Sequence, residues 1–482
     1  MSRKYKTVPE TSLKNMRRIV EAQKKAHITE GTPSYAIRVD RINRCIALIS
    51  DNQEEILDAL QADFGNRSRT SSLFSDVVAS INTLKHSRRK MRGWMRKSKR
   101  SVAFPFNLLG AQAYVKYQPL GCVGNCVPWN FPFSLAFAPL ASIFAAGNRC
   151  VLKPSEFTPN CSMLLKRLVE QYFDETELAV VTGGPKTGAG FSALPFDHLL
   201  FTGATNIAPH IMRGAAENIV PVTLELGGKS PVLISDTAPM KQAVDRIMFG
   251  KTMNAGQICL APDYIMLPSG KVDEFVSLAQ DSVAEMFPTL KDNPDYTSTI
   301  NERHFTRLNG YLRDAKTKGA EIVEINPAAE SFNQQEHYKI PPTLLLNVDD
   351  SMKVMKEEIF GPLLPIKTYD TIDDAIDYVN DHDRPLALYY FGHDRAEEKR
   401  VLNETVSGGV TVNDVLSHVM QDDLPFGGVG PSGSGAYHGL EGFRNFSHAK
   451  SVYRQTRVEK LMAMMRPPFS EKLHNMIKGM AK

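Results

Sequence analysis

Between Lys116 and Arg149 the chain carries no charged residue. A stretch that long and uncharged leaves water, either for a bilayer or for a protein core. Pro119, Pro128, Pro132 and Pro139, with Asn125, Asn130 and Asn148, interrupt it. Prolines break the continuous helix that a membrane span needs. The stretch therefore reads as a buried strand, 121–127, followed by a buried helix, 133–146. The same alternation continues with strand 149–152, helix 159–172, strand 178–181, strand 198–201 and helix 205–217. Strands alternating with helices build parallel sheet covered on both faces. After Glu225 the pattern resumes with strand 232–234, helix 240–253, strand 264–267 and helix 272–286, a second α/β unit with its own sheet.

A chain of 482 residues exceeds one ordinary core, so two or three domains are expected. Ahead of the alternating region, residues 36–64 read as helix. Ile42, Cys45, Ile46 and Ile49 form one stripe and Ile56, Leu57 and Leu60 another. Ser50 and Gln53 have capping-box spacing, and Gly65 has the character of a C-cap. Residues 70–97 read as one long helix, with nine Lys and Arg between Lys85 and Arg100. That run reads as a solvated face, since it lacks the repeated aromatic interleaving that base stacking uses. With a net charge of only +4, no nucleic-acid partner is expected.

The six cysteines, 45, 122, 126, 150, 161 and 259, form no Cys-x-x-Cys pair, and no histidine lies near Cys122 and Cys126. Neither a disulfide framework nor a metal site is expected, and a reducing, cytoplasmic setting fits best. The first ten residues are charged and lack the apolar run of a secretory signal.

Chemistry concentrates between residues 223 and 264. Glu225-Leu226-Gly227-Gly228-Lys229 places one acid in a glycine turn, and Asn254-Ala255-Gly256-Gln257-Ile258-Cys259 places one thiol on a polar, glycine-containing approach. A thiol and a carboxylate brought together can form and then hydrolyse an acyl intermediate. Two glycine loops need care. Residues 428–433 match G-x-G-x-x-G, but Pro431 interrupts them and no crossover helix follows, so they read as a turn-rich loop. Gly203-Ala204-Thr205 follows a strand and opens a helix, where free N–H groups can face an anion.

Seven motifs then occur in order. They are Pro128-Trp129-Asn130-Phe131-Pro132, Lys153-Pro154-Ser155-Glu156, Phe201-Thr202-Gly203, Glu225-Leu226-Gly227-Gly228-Lys229, Gly256-Gln257-Ile258-Cys259, Glu357-Glu358-Ile359-Phe360-Gly361-Pro362 and Pro425-Phe426-Gly427-Gly428. Their order and spacing resemble the aldehyde dehydrogenase superfamily over residues 35–455. Ala261-Pro262-Asp263-Tyr264 and Gly435-Ala436-Tyr437-His438-Gly439 are similar to its class 3 branch. Gly361-Pro362-Leu363-Leu364-Pro365 and Glu441-Gly442-Phe443 are similar to the bacterial coniferyl-aldehyde dehydrogenases.

The resemblance implies an α/β fold with a Rossmann-like NAD-binding domain (1–99 and 123–225), a second α/β catalytic domain (226–412), and a small β oligomerisation arm in the bridging segments 100–122 and 413–455. Residues 456–482 remain as a C-terminal tail. It also implies oxidation of an aldehyde, aromatic or medium-chain, to the carboxylic acid with NAD(P). Cys259 would be the nucleophile, Asn130 the oxyanion donor together with the Cys259 N–H, and Glu225 the base that activates water. Lys153 and Glu156 would reach the adenosine ribose, with Glu156 repelling a 2′-phosphate and so favouring NAD, although the class 3 branch also accepts NADP. Gly203 and Thr205 would lie at the pyrophosphate, and Glu358 and Phe360 at the nicotinamide-side ribose. Where the family shows Gly-[Ser/Asn]-Thr-x-x-Gly, this chain has Ala204 and Ala208, which narrows the approach to the pyrophosphate. A homodimer is the implied assembly.

Two other readings use the same residues: a cysteine-dependent acyl hydrolase or transferase, which would not need Lys153, Glu156, Glu358 and Phe360, and a non-catalytic protein on a dehydrogenase fold. In the tail, Leu473, Met476, Ile477 and Met480 form an apolar stripe beside Lys472, Lys478 and Lys482. Such a helix can lie on a membrane surface, or pack on the body or a partner subunit, but is too short to span a bilayer.

Overall fold

The structure is a computed structural model describing residues 5–481. Five helices or helical pieces precede the alternating region: α1 (Leu13–Glu30), α2 (Tyr35–Asp51), α3 (Gln53–Phe64), α4 (Arg69–Ser72) and α5 (Ala79–Trp94). Strands β1 (Ser98–Arg100) and β2 (Gln112–Pro119) follow. The first α/β unit then runs β3 (Cys122–Cys126), α6 (Ser134–Ala146), β4 (Arg149–Lys153), α7 (Pro159–Tyr172), β5 (Leu178–Val180), α8 (Pro185–Ser192), β6 (His198–Thr202), α9 (Ala208–Ala216) and β7 (Val222–Glu225).

Strand order in this sheet is β15-β7-β6-β3-β4-β5, where β15 is Gly433–Ser434. Every pair is parallel except β15 with β7. The chain goes outward from β3 to β4 and β5, then returns to pair β6 with β3, which makes a topological switch point beside β3. Open α/β sheets bind ligands at the carboxyl ends of their strands beside such a point. Alternation along β3 shows both faces covered. Val123 joins the core with Ile49 of α2, Leu60 of α3 and Phe137 of α6, while Cys122 and Cys126 join Val20 of α1, Phe191 of α8 and Ile211 of α9. Phe133, Phe137, Leu140 and Phe144 around α6 are fully buried, each worth roughly 1.5–3 kcal/mol of transfer free energy.

The second unit holds β8 (Pro231–Ile234), α10 (Met240–Thr252), β9 (Tyr264–Pro268), α11 (Val272–Met286), β10 (Glu321–Glu324), β11 (Thr343–Leu346), β12 (Leu363–Tyr369), β13 (Ala387–Phe391) and β14 (Gly409–Val412). The order is β10-β11-β12-β9-β8-β13-β14, with β10 antiparallel and the rest parallel. A separate antiparallel sheet, β1-β2-β16, is closed by β16 (Ser447–Arg454) laid along the whole of β2.

Four local expectations change. Ser50 and Gln53 form no capping box: Ser50 Oγ donates to Ala47 O, and Asn52 stands at the N-cap of α3 with its side chain donating back to Leu48 O instead of capping the helix. The helix expected over 70–97 runs unbroken from Arg69 to Trp94, with a π-helical run at Leu73–Val78 between α4 and α5 that the sequence did not signal. Helix α9 begins at Ala208 rather than at residue 205, after a turn in which Ala208 N–H bonds Thr205 O. Helix α1, not anticipated from the sequence, is capped by Ser12 and buries Met16, Ile19, Val20 and Gln23.

Lys85, Arg89, Lys90, Arg92, Arg96, Lys97, Lys99 and Arg100 are exposed, as a solvated face requires. In the tail, helix Glu471–Met480 buries Leu473 and exposes Met476, Ile477 and Met480. Among the described residues, no helix is long and apolar enough to cross a membrane.

Candidate active site

The site forms where the carboxyl ends of the first sheet meet the leading edge of the second. Asn130 lies just after β3, Lys153 ends β4, Gly203 follows β6 and Glu225 ends β7. From the second unit, Cys259 lies five residues before β9, and Glu358 and Phe360 precede β12.

The thiol arrives on an unusual turn. Asn254, Ala255 and Gly256 are all left-handed, with φ of 50°, 51° and 70°. Gln257 braces this turn, its Nε2 donating to Asn254 O at 2.9 Å and Ser298 O at 3.0 Å while its Oε1 accepts from Ile300 N–H at 2.9 Å. The Asn130 side chain closes over the same segment, Nδ2 donating to Gln257 O at 3.2 Å. The oxyanion-donor candidate and the thiol loop are therefore in contact. Cys259 itself is half-buried. Burial first, then the charges of Glu358 and Glu225, pushes its thiol up to about 12. At rest the sulfur is protonated, and attack on a carbonyl requires proton removal as the bond forms.

Glu225 is buried, and neither carboxyl oxygen has a hydrogen-bond partner among the described residues. Burial raises its pKa well above the ordinary carboxylate range. A buried carboxyl group with raised pKa and no partner among the described residues, acting electrostatically on a thiol, is suited to proton transfer rather than to a structural role.

The turn between β7 and β8 needs its glycines. A Cβ at Gly227 would lie 2.1 Å from Glu358 Oε2, so this carboxylate packs directly on the backbone. Glu358 Oε1 is buried without a partner among the described residues. Burial and the charge of Asp263 raise Glu358 to about 8, against the Gly228 N–H, Arg307 and Lys229. Asp263 ties the second unit's loops together: it pairs with Lys229 and accepts the Ile359 N–H at 2.9 Å.

Lys153 Nζ meets Glu156 Oε2 at 3.1 Å at the end of β4, and Phe360 sets its ring edge-on against Trp129 at 5.3 Å. The Gly203 N–H is engaged by Glu225 O at 3.0 Å, so anion contact from this turn falls to the residues after it. Thr205 is exposed, its Oγ1 3.4 Å from Pro431 O. These residues fit a dinucleotide: a cation–acid pair at the end of β4, and buried polar atoms, Glu358 Oε1 and Thr202 Oγ1, without a partner among the described residues.

A buried aromatic cluster, reached through Tyr437, lies next to these groups. Tyr437 is electrostatically coupled to Glu225 and Cys259, and it packs on Phe426 at 5.5 Å and His438 at 4.8 Å. Tyr389 donates to Leu260 O at 2.6 Å. Phe426, Tyr437, His438 and Gln257 all belong to the motifs read from the sequence, yet the sequence alone assigns them no work. Their motif membership was the available signal.

The sequence model of the aldehyde dehydrogenase family matches residues 2–452. This chain belongs to the aldehyde dehydrogenase family. It is 56% identical to a coniferyl aldehyde dehydrogenase of a Pseudomonas species, over 95% of this chain and 94% of the relative. Among solved structures, substrate-bound AldH of Staphylococcus aureus superposes with a TM-score of 0.90 at 35% identity, covering 96% of this chain and 99% of that one. An aldehyde dehydrogenase of Mycobacterium tuberculosis complexed with NAD+ gives 0.83 at 28% identity, covering 93% and 92%. This aldehyde dehydrogenase is an oxidoreductase that converts an aldehyde to a carboxylic acid with NAD(P).

Proposed function

We propose that this aldehyde dehydrogenase oxidises aryl aldehydes of the coniferyl type, using Cys259 as nucleophile, Glu225 as base and Asn130 as oxyanion donor. The observation that carries the chemistry is the buried Glu225, both carboxyl oxygens without a partner among the described residues, whose charge acts on the Cys259 thiol. The aryl preference rests on the Phe426–Tyr437–His438 cluster and on the name of the Pseudomonas relative.

As the Cys259 sulfur adds to the carbonyl carbon, its proton passes to water and the C=O electron pair moves to oxygen. The Asn130 Nδ2–H and the Cys259 N–H stabilise that oxyanion. Lys153, Glu156, Thr205, Glu358 and Phe360, with Gly203 shaping the turn before Thr205, would hold NAD(P), which would accept the hydride released from that carbon as the C=O bond re-forms. Cys259 then carries a thioester. Glu225 takes a proton from water as the water oxygen attacks, the C–S bond breaks, and the acid leaves with the thiol restored. For this role Glu225 must ionise, which the polarity of bound substrate and water favours. Glu156 disfavours a ribose phosphate, so NAD is the preferred cofactor.

The proposed division is a dinucleotide-binding unit (1–99 and 123–225) bordered by β15, a catalytic unit (226–412) and an arm (100–122 and the rest of 413–455) that pairs two subunits in a cytoplasmic homodimer. Exposed Phe104, Leu108 and Tyr453 on and around the arm support burial against a second copy.

The test is NADH formation from coniferyl aldehyde with wild type, Cys259→Ala and Glu225→Gln, repeated with NADP. Cys259→Ala should make none. Glu225→Gln should give one burst of NADH per active site and then stall as thioester. Steady turnover by either variant removes the assigned role.

A further inference from the structure

Nothing in the loop that carries Asn130 is regular secondary structure: Pro128 and Pro132 flank it, and α6 starts only at Ser134. A donor that must meet a developing oxyanion needs firmer support than that. Two residues far back in the chain provide it. The Asn130 carbonyl accepts from Arg67 Nη1 at 2.8 Å and from Asn254 Nδ2 at 3.3 Å. Arg67 Nη2 in turn donates to Asp76 Oδ2 at 2.8 Å, both side chains being almost wholly buried. The other oxygen of Asp76 accepts the N–H groups of Phe133 and Ser134, each at 3.2 Å. Asp76 thus caps α6 from outside, where the helix has no side-chain cap of its own.

The guanidinium is wedged between Phe64, 4.5 Å from its ring centre, and Phe131, at 5.1 Å. Asp76 lies within the π-helical run, whose wider turn changes the direction in which its residues face relative to the α-helices on either side. Asn130 is therefore clamped on both sides, its own carbonyl by Arg67 and the N–H groups just after it by Asp76. The Asn130 amide is left on the Cys259 loop, with Nδ2 on Gln257 O. A buried ion pair is a poor source of stability, because desolvation offsets the attraction, so its value here lies in fixing a geometry.

We propose that Arg67 and Asp76 are positioning residues for the oxyanion donor, setting the place of the Asn130 amide without touching the substrate. This rests on the reading of Asn130 as that donor.

The test is a double-mutant cycle on the full-length enzyme: Arg67→Lys, Asp76→Asn, Asn130→Ala and each of the first two combined with Asn130→Ala. Turnover is expressed per active site, counted by thiol titration, and NAD affinity is measured alongside. Asn130→Ala should lower kcat about a hundredfold. Arg67→Lys should lower kcat by about tenfold with NAD affinity held within about twofold. In the Asn130→Ala background, the same change should cost less than about twofold, since its effect passes through an amide already removed. Asp76→Asn should follow the same pattern. An equal loss in both backgrounds overturns the proposal, and so does failure of both single variants to fold, which would mark the pair as a stability element. Normal kcat for Asn130→Ala overturns the donor reading and this inference with it, an outcome distinct from the first two.

Discussion

Glu225 buries both carboxyl oxygens without a partner among the described residues, and burial lifts its pKa well above the usual range. In the unfolded chain a glutamate titrates near about 4.3. Between those two values the folded state binds more protons than the unfolded state, so stability is full below the lower value and falls as pH rises, by up to about 1.4 kcal/mol per unit. Glu225→Gln should therefore be more stable than wild type at about pH 7, with the difference shrinking toward about pH 4. Urea unfolding across that range measures it, and a pH-independent difference would sink the argument. The same variant loses steady turnover, so the site trades stability for chemistry. Cys259, Glu225 and Asn130 were legible in the sequence because each sits in a short motif of neighbours. Arg67 and Asp76 were not, because their meaning depends on a loop some sixty residues downstream that only the fold brings to them.

At the scale of elements, the left-handed turn before Cys259 is the most demanding. A Cβ on Gly256 would lie 2.3 Å from Gly361 O, a backbone atom that cannot swing aside, and its φ of 70° already strains any other residue. Gly256→Ala should cost more than about 2 kcal/mol and most of the activity. Gly188, in α8, is the control, because a methyl group added there would meet nothing within 4 Å: Gly188→Ala should stabilise by about 0.5–1 kcal/mol. Chemical denaturation compares them, and a Gly256→Ala midpoint equal to wild type would refute the steric account. Helices α7 and α11 were readable to the residue because apolar stripes run between clear ends, a proline at the start of α7 and Phe287 after α11. The π run between α4 and α5 was not, since a π turn inserts one residue without a breaker. The start of α9 was misplaced because Gly203 and Thr205 signal a turn as well as a helix opening. Helix α1 carries a clean stripe with a Ser12 cap, but its mean polarity hid it among the charged residues of the N-terminal region.

At the scale of the whole molecule, β2 is the middle strand of the arm and holds both β1 and β16. Val115 faces Ser98 on one side and Ser451 on the other. Proline there removes a ladder donor in a central strand. Val115→Pro should convert the proposed homodimer to monomers in light scattering, and an unchanged mass would place the subunit contact elsewhere. The division into two α/β units was visible in the alternation of apolar runs. That the end of the chain returns to finish the first unit was not, because pairing between distant strands leaves no local mark. Strand β15 borders β7, Asn148 Nδ2 reaches Phe446 O at 2.7 Å, and Ser142 Oγ reaches Tyr437 O at 2.5 Å. During translation, then, the dinucleotide half emerges some two hundred residues ahead of its border strand and of the cover over its central helix. Until residues 433–434 emerge, β7 stands as an open edge, the kind of unpaired strand border that invites misassembly while a chain is still being made.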